Sequence, residues 1–158
     1  MKLFNLSKNK IVVGNLIIAK SYSDRMRGLL GRTSIDDNEG LLIKNCNWIH
    51  MFFMKFPIDV IFLRTEKCHS EPRKERGKLR AESRDASLSR INYSFYGFNF
   101  MIDYTDKGIY KVVRIIENIK PWRISSPVFR ADSVLEIKSE TAKNIISIDD
   151  ELKIMEDL

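Results

Sequence analysis

Cysteine and histidine are scarce, with two of each in 158 residues. Cys46 and Cys68 need not pair, and so few thiols fit a reducing compartment. A transition-metal site takes about four ligands, or three and a water. Cys46 and His50 are spaced like two of them, but the other such pair, Cys68-His69, lies in a charged segment unlike the rest of the chain. No metal and no cofactor is expected. Long apolar runs are also lacking, and none approaches the roughly 20 residues of a membrane-spanning helix. The opening Met1-Lys2-Leu3-Phe4-Asn5-Leu6-Ser7-Lys8 has neither a long apolar core nor a small-residue cleavage site. It reads as no signal peptide, and a cytoplasmic location is expected. There is no nucleophile motif, no phosphate loop and no internal repeat. Charge of one sign is confined to one place. The net charge is +6, but residues 67–90 hold eight Lys/Arg and four Asp/Glu, which leaves the remainder close to neutral. A nucleic-acid footprint requires basic charge along one folded face. A clustered run reads first as a solvated loop, so nucleic acid is not the expected partner.

What the chain does have is 44% hydrophobic residues, enough for the core of one domain. The most apolar and aromatic run is 49–63, interrupted only by His50, Lys55 and Asp59. Burying an unpaired charge is expensive, so Lys55 and Asp59 either lie where the run surfaces or face a pocket. Pro57 cannot donate to a strand ladder and divides the run into two strands, 49–55 and 58–63. In the second, Ile58, Val60 and Phe62 share one face, while Asp59, Ile61 and Leu63 share the other.

Before this run, residues 3–6, 11–13 and 16–19 read as short strands, with Gly14-Asn15 favouring a tight hairpin between the last two. Residues 21–31 change to a helical period. Ser21 or Ser23 caps, Asp24 sits in the first turn, Met26, Leu29 and Leu30 form one stripe, and Gly31 ends the helix. The acidic loop at 36–40 does not have the ligand spacing of a calcium loop. Leu41-Leu42-Ile43 is a strand. After the run, residues 67–90 carry almost no large apolar side chain and cannot offset their ordering entropy. Residues 92–104 then turn aromatic and suit an extra strand or hairpin. Without the stretch 64–105, residues 62–63 and 112–113 form an ordinary strand pair, so that stretch is read as an insertion. Residues 131–137, containing Glu136, and 152–155 are further strands.

Four ordered blocks carry a family resemblance. They are Arg25-Met-Arg-Gly-Leu-Leu-Gly-Arg32, Glu39-Gly-Leu-Leu-Ile43, the run from His50 to Leu63, and Val112-Val-Arg-Ile-Ile-Glu-Asn-Ile-Lys-Pro-Trp-Arg123 followed by Ser133-Val-Leu-Glu-Ile137. Together they resemble the prokaryotic family called domain of unknown function 192. The likeness covers about 1–63 and 106–158. It implies a mainly β fold, a compact antiparallel jelly-roll-like sandwich with one short helix, and it implies no reaction. Its recurring polar positions fall on Arg25, Arg32, Lys55, Asp59 and Glu136. Many members have a Trp where this chain has Phe53. Many also begin with a signal peptide or lipoprotein start, which is not read here. The Arg/Glu/Ser-rich text of the insertion resembles palindromic repeat elements that land in frame within bacterial genes.

Three functional readings follow. The first is a non-catalytic module that binds a small ligand or a peptide in an aromatic groove formed by Phe53, Met54 and Trp122, oriented by Arg25, Arg32, Lys55, Asp59 and Glu136. Its structural counterpart is an ion pair from Asp59 to Arg25 or Arg32 that pins the helix to the sheet. The second is a hydrolase using Asp59, His50 or Glu136 as acid or base. The third is nucleic-acid binding through the basic insertion.

Overall fold

β-Branched runs and alternating apolar residues form the strands that dominate the secondary structure of the described residues. The computed structural model describes residues 1–66 and 108–156, together with strands at 90–95 and 98–103. The elements are β1 (Lys2–Asn5), β2 (Lys10–Val13), β3 (Asn15–Ala19), α1 (Tyr22–Arg27), β4 (Glu39–Lys44), β5 (Ile58–Glu66), β6 (Arg90–Phe95), β7 (Phe98–Asp103), β8 (Ile109–Ile119), β9 (Ser133–Lys138) and β10 (Glu151–Met155), with a 3-10 turn at Ala142–Asn144. They divide into two units, Met1–Lys67 with Gly108–Leu158, and Cys68–Lys107. In the second, β6 and β7 pair antiparallel, with Arg90 opposite Asp103. The aromatic stretch thus forms a hairpin. The charged run at 67–89, with Cys68-His69, lies outside the described residues.

The first unit is one eight-stranded sheet in the order β2-β1-β10-β8-β5-β9-β4-β3. The mainly β class stands. Where the resemblance implies a compact antiparallel jelly-roll-like sandwich, that class is present without a sandwich being evident: these eight strands form one sheet and β3 runs parallel to β4. The chain crosses between these two through α1, and a crossover of that kind brings the next strand in parallel. The sheet curls until its ends meet, where the Leu16 N–H donates to the Met1 carbonyl at 2.8 Å. The hairpin expected at Gly14-Asn15 does not form. β2 pairs with β1 and β3 with β4, so Gly14 is the corner between the two sheet edges. A Cβ at Gly14 would lie 2.5 Å from the Asn38 amide nitrogen, so close approach explains the glycine.

β5 and β8 pair as expected, Leu63 opposite Val112. The ladder continues through Glu66 opposite Ile109, so residues 64–66 belong to the sheet. The alternation read in β5 is also present. Ile61 and Leu63 pack inside the curl with Leu3, Tyr110 and Leu152, while Ile58, Val60 and Phe62 enter a second core with Leu29, Ile43, Met51 and Met54.

α1 lies beside that second core and buries none of its own residues in it. Ser21 Oγ accepts the Asp24 N–H at 3.0 Å and the Asp24 carboxylate accepts the Ser21 N–H at 3.1 Å, a reciprocal cap. The helix ends at Gly28, not Gly31, because Gly28 turns to φ +49°. The expected stripe therefore breaks. Leu29 is buried just past the helix, whereas Met26 remains 56% exposed. Residues 49–55 are not a strand, and only His50 bridges, to Ile124. Met51 and Met54, three apart, turn inward, and the exposed Phe53 takes a left-handed φ of +64°.

Candidate functional site

β9 lies between β5 and β4, with Glu136 opposite Val60 and Leu41. Alternation sends Leu135 and Ile137 into the curl and Val134 into the second core. Glu136 shares the face of Val134, beneath α1. There it floors a cavity of about 360 Å³ whose apolar walls include Met26, Leu29, Ile43, Ile49, Met51 and Met54, with Arg25, Cys46 and His50 also lining it. These residues arrive from α1 and its end, β4, the loop after β4, and β9.

Glu136 is buried, and no side chain or backbone group among the described residues hydrogen-bonds or ion-pairs with it. Burial pushes its carboxyl up to about 7. His50 Nδ1 is buried with no hydrogen-bond partner among the described residues, and its ring stacks on Phe52 at 5.3 Å. The Cys46 thiol donates to the Trp48 carbonyl at 3.0 Å. Burial pushes that thiol up, nearby Glu136 adds to the shift, and the Trp48 carbonyl and Arg25 oppose it. A thiol held protonated is a weak nucleophile. Arg25 reaches the Lys44 carbonyl at 3.3 Å and lies 5.7 Å from the Tyr22 ring. Among the described residues, no group of three or more His, Cys, Asp or Glu is placed to hold a metal ion.

Of the polar residues named from sequence, Arg25 and Glu136 line this cavity. Asp59 does not. It is fully buried, with Oδ1 accepting the Asn118 N–H at 2.8 Å and Oδ2 the Ala142 N–H at 2.9 Å. The ion pair expected between Asp59 and Arg25 or Arg32 is absent, because two backbone donors satisfy the carboxylate instead. Lys55 is exposed and outside the cavity. Of the expected groove, Met54 is a wall, while Phe53 and Trp122 stand exposed outside it, edge to face at 5.0 Å. Cys46, weighed from sequence only as a metal ligand, and Met26 and Met51 are cavity residues that sequence spacing could not bring together.

Arg32 pairs instead with Glu39, Nη1 to Oε1 at 2.8 Å, and the Glu39 side chain is only 8% exposed. Arg32→Ala leaves that carboxylate buried without its cation. The expected cost is about 1–2 kcal/mol, read by urea denaturation. Added to Glu39→Gln, the same change should cost almost nothing, and additive losses would show that the pair is not coupled.

Comparison with known proteins agrees with this architecture. The family model DUF192, Uncharacterized ACR, matches residues 5–83, half of the chain. Among solved structures, a protein of unknown function from Novosphingobium aromaticivorans DSM 12444 superposes with a TM-score of 0.59 at 16% identity, over 97% of this chain and 82% of that one. A protein from Sinorhizobium meliloti 1021, assigned provisionally as a transcription regulator, superposes with a TM-score of 0.57 at 17% identity, over 96% of this chain and 89% of that one. At such identities the likeness concerns the fold alone. No curated protein matches.

Proposed function

The chain belongs to the uncharacterised family DUF192, and we propose that it is a non-catalytic binding module whose cavity beneath α1 takes a small, largely apolar molecule with one hydrogen-bond-donating end. The observation that carries this reading is Glu136, a buried carboxyl that lines an apolar cavity and takes part in no hydrogen bond or ion pair among the described residues. An unsatisfied buried polar group costs about 1–3 kcal/mol, which a donor on the ligand would recover. The cavity volume falls within the roughly 300–1,000 Å³ of small-molecule sites, and thioether walls adapt to irregular shapes. A hydrolase using Asp59 and His50 is less well supported. Both Asp59 oxygens are engaged by backbone donors away from the cavity, and the thiol beside Glu136 is held protonated.

An apolar amine is the sharpest probe, because its ammonium group would complement the ionised Glu136. Octylamine should raise the melting temperature of the wild-type protein and should do so more strongly at pH 8 than at pH 6, as Glu136 loses its proton. Glu136→Leu should abolish the increment. An equal increment in Glu136→Leu, or none in the wild type at millimolar octylamine, would sink the reading.

A further inference from the structure

Two loops of the first unit, residues 45–57 and 120–130, are tied into one platform. The Met51 N–H donates to the Arg123 carbonyl at 2.7 Å, the Trp122 N–H to the Met51 carbonyl at 2.8 Å, and the Ser125 N–H to the Ile49 carbonyl at 2.9 Å. The platform turns large rings outward: Phe129 is 90% exposed, Phe53 70% and Trp122 61%. Phe53 and Trp122 both occupy left-handed backbone, at φ +64° and +65°, which bulky residues avoid. Such conformations persist only where the surroundings impose them, and they concentrate at functional positions. The same two loops contain Lys55, Lys120, Arg123 and Arg130 and no Asp or Glu. All four cations are exposed, and among the described residues no ion pair involves them; Lys120 Nζ donates to the Asn118 side-chain oxygen at 3.0 Å.

Protruding aromatic rings among unneutralised cations are the features that hold proteins at a lipid–water interface. Trp and Phe bury in the headgroup boundary while Lys and Arg meet anionic headgroups. A protein partner would need a matched pocket for each ring, whereas a bilayer accepts rings wherever they protrude. We propose that this platform docks the protein on the surface of an anionic lipid bilayer, without spanning it; no helix among the described residues is long and apolar enough to cross. The first loop also supplies Cys46, His50, Met51 and Met54 to the cavity, but Phe53, Trp122, Phe129 and the four cations are not among its lining residues.

The chain's two tryptophans, Trp48 and Trp122, are both in the platform and serve as reporters. The full chain should sediment with vesicles of equal parts phosphatidylglycerol and phosphatidylcholine, with a blue shift of tryptophan emission, and sediment far less with phosphatidylcholine alone. Lys55→Gln, Arg123→Gln and Arg130→Gln should each weaken partitioning, by up to about fivefold. Phe53→Ser with Phe129→Ser should weaken it further and reduce the blue shift, at an unchanged melting temperature. Absence of sedimentation overturns the proposal. So does binding that leaves tryptophan emission unmoved and ignores the ring substitutions, which would assign it to the basic run at 67–90 or to charge alone.

Discussion

Asp59→Asn is expected to lower the free energy of unfolding by roughly 3 kcal/mol, because two charge-assisted hydrogen bonds end on this one buried carboxylate. Its oxygens hold the Asn118 N–H near the end of β8 and the Ala142 N–H at the start of the 3-10 turn, two segments with no ladder between them. Asparagine keeps one acceptor and turns an NH2 group toward the other backbone donor, so one bond is replaced by a clash of donors. Urea denaturation measures the loss, and amide exchange should quicken first at Asn118 and Ala142. A loss below about 1 kcal/mol would show that these bonds carry little. The same variant should still respond to octylamine at temperatures where it is folded, since Asp59 does not reach the cavity.

Glu136→Gln should have the opposite sign, and its effect should depend on pH. The Glu136 carboxyl titrates at about 7 when folded, against an ordinary value of 4.5. Below the ordinary value both folded and unfolded chains hold the proton, and the group makes no difference. Between the two values the unfolded chain releases it while the folded chain keeps it, so stability falls as pH rises. Above pH 7 the folded protein carries the full penalty, about 3 kcal/mol. Glutamine does not titrate. The stability of Glu136→Gln relative to wild type should therefore grow by about 3 kcal/mol between pH 4.5 and pH 8. A difference that stays flat across that range would mean that water or a neighbouring group already satisfies the carboxyl.

Parts of this arrangement were readable from sequence because they depend on short-range periods. A strand reverses its side chains at every residue, so Ile58, Val60 and Phe62 separate from Ile61 and Leu63 without knowledge of any partner strand. Ser21 and Asp24 are a local cap for the same reason. Where two structures share one local signal, the reading failed. Gly14-Asn15 has the composition of a tight turn, but its flanking strands part because β2 finds its partner in β1 and β3 in β4. The apolar stretch 49–55 looks like a strand by composition, yet its inward residues, Met51 and Met54, are spaced for a looping chain.

The role of Asp59 turns on the same distinction. A carboxylate in an apolar run must find partners, and sequence composition pointed to an arginine. The fold supplied backbone N–H groups from residues 59 and 83 positions further along the chain. The sequence by itself determined the strand content, the capped helix, the two-faced alternation of β5 and the presence of buried carboxylates needing an explanation. Each depends on neighbours within a few positions. Only the tertiary structure decided which carboxylate closes a backbone contact and which floors a cavity, since Arg25, Cys46, His50 and Glu136 converge only when α1 and the loop after β4 come together over β9. That meeting is set by the pairing of β4 with the distant β9, and no local period encodes it.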